Sequence, residues 1–324
     1  MEKTITLLPS NHQFRLQGEE TILEAALRSG HSPAYGCNNG NCGQCLAKLV
    51  SGETRQVRHS DFRLEGQPPG STTAHRQLLM CCHTALTDLV LHADEASSAD
   101  DIPLQHIRAR IKKIDASDPE VLVVSLQTPR TQTLRFLAGQ SIQLTARKKI
   151  HGRFHLGNCP CDDRNLQLHL PTSARNTAAA LSSATHAELD GPYGDFTLVE
   201  RPARPALFIA SAHGFAPLKS IIEHAIALEY DAPLALFRLD KQPAPYLHNL
   251  CRSWQDAFDD FHYQVIARHD TQRLLTTLTP FAKGPVKPVV YLAAPDQAHS
   301  LLVGLLNDSF PGLEILHTTV TTPE

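Results

Sequence analysis

The sequence predicts a multidomain protein that combines α+β, β and α/β architecture: a small α+β domain, an antiparallel β-barrel and a doubly wound parallel sheet, in that order. Three observations carry this expectation. Cys37, Cys42 and Cys45 stand at C-x4-C-x2-C spacing, with the adjacent thiols Cys81 and Cys82 further on, and that is the plant-type spacing for the ligands of a [2Fe-2S] cluster. Residues 94–103, DEASSADDIP, are acidic, small and without apolar periodicity, which reads as an exposed linker. From Arg204 onward short apolar runs alternate with helical stretches, the texture of a parallel sheet with helices on its faces. The expected domains are residues 1–96, 103–202 and 203–324.

Composition narrows the class. The chain of 324 residues has ample material for two or three buried cores. A formal charge of -3 is close to balance, and no basic stripe suggests nucleic acid. No apolar run approaches the roughly 20 residues of a membrane span, and the opening MEKTITLLPS lacks the charged and apolar regions of a signal peptide. The expected location is the cytoplasm. Eight Cys, four of them expected as thiolate ligands, agree with a reducing compartment. The 18 His include no H-E-x-x-H pair, so most read as ordinary core or surface residues.

In the front domain, residues 3–8 and 12–16 read as a hairpin. Thr21 to Arg28 reads as a helix with Thr21 as N-cap and Gly30 as its stop. The Cys loop follows, and Gly36, Gly40 and Gly43 let a tight turn take backbone angles closed to other residues. Its amide hydrogens can then face cluster sulfurs, and such hydrogen bonds help set the potential. Residues 47–50 and 88–92 read as strands. Four candidate ligand Cys also suit zinc or unrelated buried thiols, but zinc pairs usually come as C-x2-C twice, and the glycine pattern fits iron-sulfur better.

In the middle domain, Ile107, Ala109 and Ile111 alternate with polar residues, and residues 121–126, 141–145, 166–170 and 196–199 read as further short strands, which together suggest an antiparallel barrel. The rear domain offers strands at 206–210, 233–239, 263–267, 289–293 and 313–316, with helical stretches at 219–228, 247–258, 271–278 and 296–307 between them.

Across residues 1–96 the pattern resembles the plant-type ferredoxin fold. In that family's pattern the last ligand stands seven residues before the acidic member of a Ser/Thr-Asp pair; Thr87-Asp88 then selects Cys81 and leaves Cys82 as a thiol that packs in the core or lies just behind the ligands. The whole chain resembles the ferredoxin-NADP reductase-like oxygenase reductases with a fused [2Fe-2S] domain. Phe136-Leu-Ala-Gly139-Gln140 is similar to the family's F-x-P-G-Q, Gly191-Pro-Tyr-Gly194-Asp-Phe196 to its G-P-x-G-x-F, and Ala216-Pro217 to the A-P after the nucleotide loop. The resemblance implies a flavin barrel and a nucleotide domain, with hydride passing from NAD(P)H to FAD and single electrons leaving through the cluster to a partner.

The sequence departs from the family at the cofactor positions. The family's R-x-Y-S falls near Gly152-Arg-Phe-His-Leu-Gly-Asn158, where Arg153 alone survives, His155 replaces the stacking Tyr and Leu156 the hydroxyl that bonds the flavin. An unmet polar partner there costs about 1 to 3 kcal/mol. The second phosphate element aligns with Ser173-Ala-Arg-Asn-Thr177, keeping Thr177 but not the glycines that permit close backbone approach to a helix end. The nucleotide loop reads Ala210-Ser-Ala-His-Gly214, in which Gly214 holds, and the late C-G-P reads Ala293-Ala294-Pro295, without its thiol. Arg153, Thr177 and Gly214 are therefore the candidate positions should flavin or nucleotide bind.

Other features carry less. Cys159-Pro-Cys161 suits a redox or metal role or none, Arg147-Lys-Lys149 a docking patch or a solvated turn, and His213 is a single His for which the sequence identifies no orienting residue. Neither a nucleophile-elbow G-x-S-x-G nor a Gly-rich Lys loop is present. The expectation is an electron-transfer protein whose cluster on Cys37, Cys42, Cys45 and Cys81 serves a redox partner such as an oxygenase, a hydroxylase or a separate reductase. Hydride chemistry is expected to be lost, with FAD and NAD(P)H binding both in question. One alternative is a complete NAD(P)H-dependent FAD/[2Fe-2S] oxidoreductase, and another a redox-sensing regulatory or assembly subunit.

Overall fold

The structure is a computed structural model, which describes residues 2–62 and 77–320. At the front, β1 (Lys3–Leu8) and β2 (His12–Leu16) pair as an antiparallel hairpin. Helix α1 (Ile22–Arg28) starts at a capping box: Thr21 Oγ1 accepts from the Glu24 amide at 3.2 Å, and the Glu24 carboxylate accepts from the Thr21 amide at 2.9 Å. Seven residues are too few for a helix to stand alone in water, and α1 holds by burying Ile22, Leu23, Ala25, Ala26 and Leu27. Then come β3 (Leu46–Ser51), β4 (Thr54–Gln56), β5 (Gln77–Leu79), β6 (His83–Ala85) and β7 (Leu89–His92). The main sheet runs β2-β1-β7-β3-β5, with β1 and β7 parallel, while β4 and β6 form a separate ribbon.

The linker expected to be exposed at 94–103 is partly tied down. The Glu95 carboxylate accepts from the Ser10 hydroxyl and meets His12 Nδ1 at 3.1 Å, Glu95 bridges Pro33, and Ile102 is buried. Composition is blind to such ties, since the anchoring partners lie some eighty residues upstream in the hairpin turn.

The barrel consists of β8 (Gln105–Asp115), β9 (Val121–Gln127), β10 (Ser141–Ala146), β11 (Lys149–His155), β12 (Asn165–Pro171) and β13 (His186–Tyr193), with α2 (Arg175–Ser182) before the last strand. The order is β11-β10-β13-β8-β9-β12 with every pair antiparallel, and a bridge between Leu156 and Leu168 joins the two outer strands. Closure removes the open edges that a flat sheet would expose. Residues 196–199, expected as a strand, form an extended connector instead. Phe196 and Leu198 bury in the core of the rear domain, and Phe196 meets the Tyr291 ring edge-on at 5.9 Å. Alternating apolar residues there mark a domain junction, not a ladder.

The rear domain alternates β14 (Ala206–Ser211), α3 (Phe215–Ala227), β15 (Leu234–Asp240), α4 (His248–Ala257), β16 (Phe261–Ala267), α5 (Thr271–Ala282), β17 (Val289–Ala294), α6 (Asp296–Ser309) and β18 (Glu314–Thr319). All neighbours are parallel in the order β16-β15-β14-β17-β18. Every residue of β14, β15 and β17 is buried, which is why they read as apolar runs without alternation. Phe208 and Tyr291 face one core, Ile209 and Leu292 the other. The strand order reverses between β14 and β17, the place where doubly wound sheets bind ligands.

Candidate iron-sulfur centre and cofactor positions

Cys37, Cys42 and Cys45 stand on one loop, and Cys81, in the turn between β5 and β6, meets it. Cys45 Sγ lies 3.2 Å from Cys81 Sγ, and the Cys42 amide donates to Cys37 Sγ at 3.3 Å. Gly40 and Gly43 take φ of +84° and +76°, so the loop turns where a side chain would be strained. Cys37, Cys45 and Cys81 are buried and Cys42 is exposed. Thiolates grouped in this way, with backbone N–H aimed at sulfur, suit a [2Fe-2S] cluster, which exchanges one electron at a time.

Cys82 has a different job. A Cβ on Gly40 would lie 2.7 Å from its sulfur, so Cys82 packs under the turn. The hydrogen bond from Cys45 holds the Cys81 thiol down to about 6, while burial and then the charge of Cys81 push Cys82 up to about 12. Of the two adjacent thiols, Cys81 is the one whose sulfur lies beside Cys45.

The loop is docked on the barrel. The Gly36 carbonyl, one residue before Cys37, accepts from the Thr133 amide at 3.2 Å and its hydroxyl at 3.4 Å. Arg135 donates to the Ser32 carbonyl at 2.8 Å. Asp163, near Tyr35, is buried and its carboxyl is pushed up to about 6 by desolvation. Next to it, the Asp162 amide donates to the Cys159 carbonyl at 3.1 Å and closes the turn that carries Cys159 and Cys161, which the structure joins as a disulfide with Cα atoms 5.1 Å apart.

The flavin positions look different. Arg153 is exposed and its guanidinium stacks 4.0 Å above the Tyr193 ring. His155 contacts the Gly139 carbonyl through Nδ1 at 2.7 Å and the Thr318 hydroxyl through Nε2 at 3.1 Å. Both ring nitrogens are thus engaged within the chain, and burial lowers the pKa of the imidazole. Leu156 lies in the barrel core with no exposed surface. Thr177 is buried in α2, whose N-cap, Ala174, has no side chain with which to cap it. Across the barrel and rear domain, Lys219 donates to the Gly157 carbonyl at 2.8 Å, Ser220 to the Asn158 carbonyl at 2.7 Å, and Glu223 accepts from the Cys159 amide at 3.1 Å. His155 and Leu156 therefore do not offer a flavin what the family's motif offers there: the hydroxyl is missing and the ring that should stack is bonded within the chain.

Behind this segment sits a plug that sequence reasoning missed. His169 on β12 is within hydrogen-bonding distance of the Tyr246 hydroxyl at 3.3 Å, and Tyr246 packs edge-on against Phe215 at 5.9 Å. The fully buried Arg238 lies over both the Phe215 and Tyr246 rings, at 4.3 and 4.8 Å, and donates to the Tyr246 carbonyl at 3.0 Å. Burial, followed by the neighbouring cations, drives His169 down to about 3. One signal was available: an Arg inside the otherwise apolar run Leu234-Ala-Leu-Phe-Arg238-Leu needs buried partners.

At the switch point a crevice of about 370 Å³ remains, lined by Ser173, Ala212, His213, Arg268 and Pro295 among others. Its cations are already matched: Glu120 pairs with Lys241 at 2.8 Å and with Arg268 at 3.3 Å. Gly214 stands beside it, but a Cβ there would meet the Ala293 carbonyl oxygen. Ala293 and Ala294 supply no thiol at the end of β17. Arg147 and Lys148 take left-handed turn angles, with Arg147 bonded to Ser183, as a solvated turn does. Among the described residues, no helix is long and apolar enough to cross a membrane.

Residues 5–86 match the 2Fe-2S iron-sulfur cluster binding domain. Over 278 residues the chain is 26% identical to the CDP-6-deoxy-L-threo-D-glycero-4-hexulose-3-dehydrase reductase of Yersinia pestis, covering 83% of this chain and 81% of that protein. It is 24% identical over 268 residues to reductase component 2 of terephthalate 1,2-dioxygenase from a Comamonas species, covering 81% and 78%. Its fold matches that of the ferredoxin reductase in carbazole 1,9a-dioxygenase, solved in an FAD apo form, with a TM-score of 0.56, 19% identity and 98% of each chain covered. With a cluster domain at the front, an antiparallel barrel and a doubly wound sheet in one order, the chain resembles the ferredoxin-NADP reductase-like oxygenase reductases that carry an N-terminal plant-type [2Fe-2S] domain.

Proposed function

We propose that this protein is a one-electron carrier on a reductase scaffold, with its cluster held by Cys37, Cys42, Cys45 and Cys81 and with hydride chemistry lost. The barrel and rear domain, expected at 103–202 and 203–324, act as a body that positions the cluster domain, expected at 1–96. Electrons arrive from a separate reductase and leave to an oxygenase or hydroxylase, the class of partner that the relatives' names point to. The observation that carries the loss of hydride chemistry is His155, whose two ring nitrogens are spent on Gly139 and Thr318 beside a buried Leu156. The absent thiol at Ala293-Ala294 and the Glu120 carboxylate, placed where pyrophosphate would need cations, support it.

The visible spectrum of protein purified under low oxygen tests this. Cluster absorption alone, indifferent to NADH and NADPH but bleached by dithionite, is the expected result. Flavin bands that bleach on adding NADH or NADPH overturn it, and establish the second reading, a complete NAD(P)H-dependent FAD/[2Fe-2S] oxidoreductase. The crevice retained at the switch point between β14 and β17 is what favours that second reading.

A further inference from the structure

Away from the Cys loop, three lone-pair donors meet at the junction of the domains. His12 opens β2, His31 follows the α1 terminus and Glu95 begins the linker, and one ligand atom from each lies within 4.8 Å of the others. His12 Nδ1 is 3.1 Å from Glu95 Oε1, close to the ~3.4 Å edge of a tetrahedron built on zinc-to-nitrogen and zinc-to-oxygen bonds. The His12 and His31 rings lie 20° from parallel with centroids 4.8 Å apart, so one ring turns about its side-chain bonds when both nitrogens reach one ion. His31 Nδ1 is buried without a hydrogen-bond partner, while the ring also engages the Gln13 backbone. That unused buried nitrogen is the atom the ring can offer to an ion. Glu95 is only 8% exposed, and its other oxygen accepts from Ser10. A nearby second carboxylate, Glu200, pairs with His224 at 3.3 Å and adds negative charge beside both imidazoles.

We propose that His12, His31 and Glu95 bind a divalent transition-metal ion of the zinc class. Two His and one carboxylate are a known three-ligand zinc set that leaves a fourth position to water. The ion fastens the linker to the cluster domain where that domain meets the rest of the chain: Arg201 donates to the Ser10 carbonyl, and Leu228 of the rear domain crowds Gly30, the residue before His31. Its role is to fix the orientation of the cluster domain, and it is independent of whether flavin binds.

The test uses the full-length holoprotein with its cluster intact, stripped of loosely held metal and dialysed against low-micromolar zinc sulfate, with zinc and iron counted together. The parent is expected to hold one zinc beside its iron and to melt at a higher temperature with zinc than without. His31→Ala and Glu95→Gln should bind zinc at least about tenfold more weakly, the least that loss of even an outer partner costs, and lose the zinc-dependent melting shift while keeping their iron. His299→Ala is the control, because His299 and His317 form an exposed pair 3.1 Å apart that also attracts metal. No zinc on the parent, unchanged zinc in Glu95→Gln, or zinc lost in His299→Ala instead overturns the proposal. Should His31→Ala fail to keep its cluster, the near-isosteric Glu95→Gln decides.

Discussion

A methyl group on Gly214 would lie 2.2 Å from the carbonyl oxygen of Ala293. The turn after β14 thus presses on the end of β17, and backbone cannot yield there as a side-chain tip would. Gly214 persists in an otherwise altered nucleotide loop because the sheet needs it, with or without a bound pyrophosphate. Gly214→Ala should therefore destabilise the chain by about 1 to 3 kcal/mol, read as a lower melting temperature that is the same with and without NADH. An unchanged melting temperature would refute the packing account.

Cys81→Ser should abolish or badly destabilise the visible cluster absorption, whereas Cys82→Ser should leave it largely intact. The second substitution removes a sulfur that packs under Gly40, so its cost is expected in stability more than in iron content. The opposite pattern would move the fourth ligand by one residue.

Acid should weaken the fold through buried imidazoles. His169 has a folded pKa of about 3 against an ordinary 6.5, so the unfolded chain binds the proton first, and stability present above about pH 6.5 is lost as pH falls toward 3. One such group contributes a slope of up to about 1.4 kcal/mol per pH unit. His31, His83 and His155 are shifted in the same direction, while Asp163, raised to about 6, works the opposite way between about 4 and 6. His169→Phe should give a visibly shallower fall in urea midpoint between pH 6.5 and 4.5. A slope equal to the parent's would mean that His169 titrates normally.

Thr21→Ala removes the side-chain half of the capping box on α1, the hydroxyl that accepts from the Glu24 amide, and should cost about 1 kcal/mol, measured by urea unfolding. Thr21→Ser should restore most of it, because the oxygen that accepts from Glu24 returns.

The parts of the fold that sequence made legible are those where one element supplies its own signal. The hairpin, α1 with its Thr21 cap, and the five parallel strands of the rear sheet stand where apolar runs and caps placed them. Strands β11 and β13 were not foreseen: Lys-Ile-His-Gly-Arg-Phe-His has one buried residue, and His-Ala-Glu-Leu-Asp-Gly-Pro-Tyr ends in turn chemistry. Their partners, not their composition, make them strands. At the candidate centre the Cys spacing was readable, but the packing of Cys82 under Gly40 was not. Neither was the meeting of His12, His31 and Glu95, since each looks ordinary until the chain folds.

Docking of Gly36 onto Thr133 gives the cluster domain one covered flank, and the exposed Cys42 marks the other. Under the proposed carrier role, the exposed side at Cys42 is where a partner would reach the cluster. A donor and an acceptor that both use it would visit it in turn, and an excess of either one should then slow turnover by crowding out its counterpart.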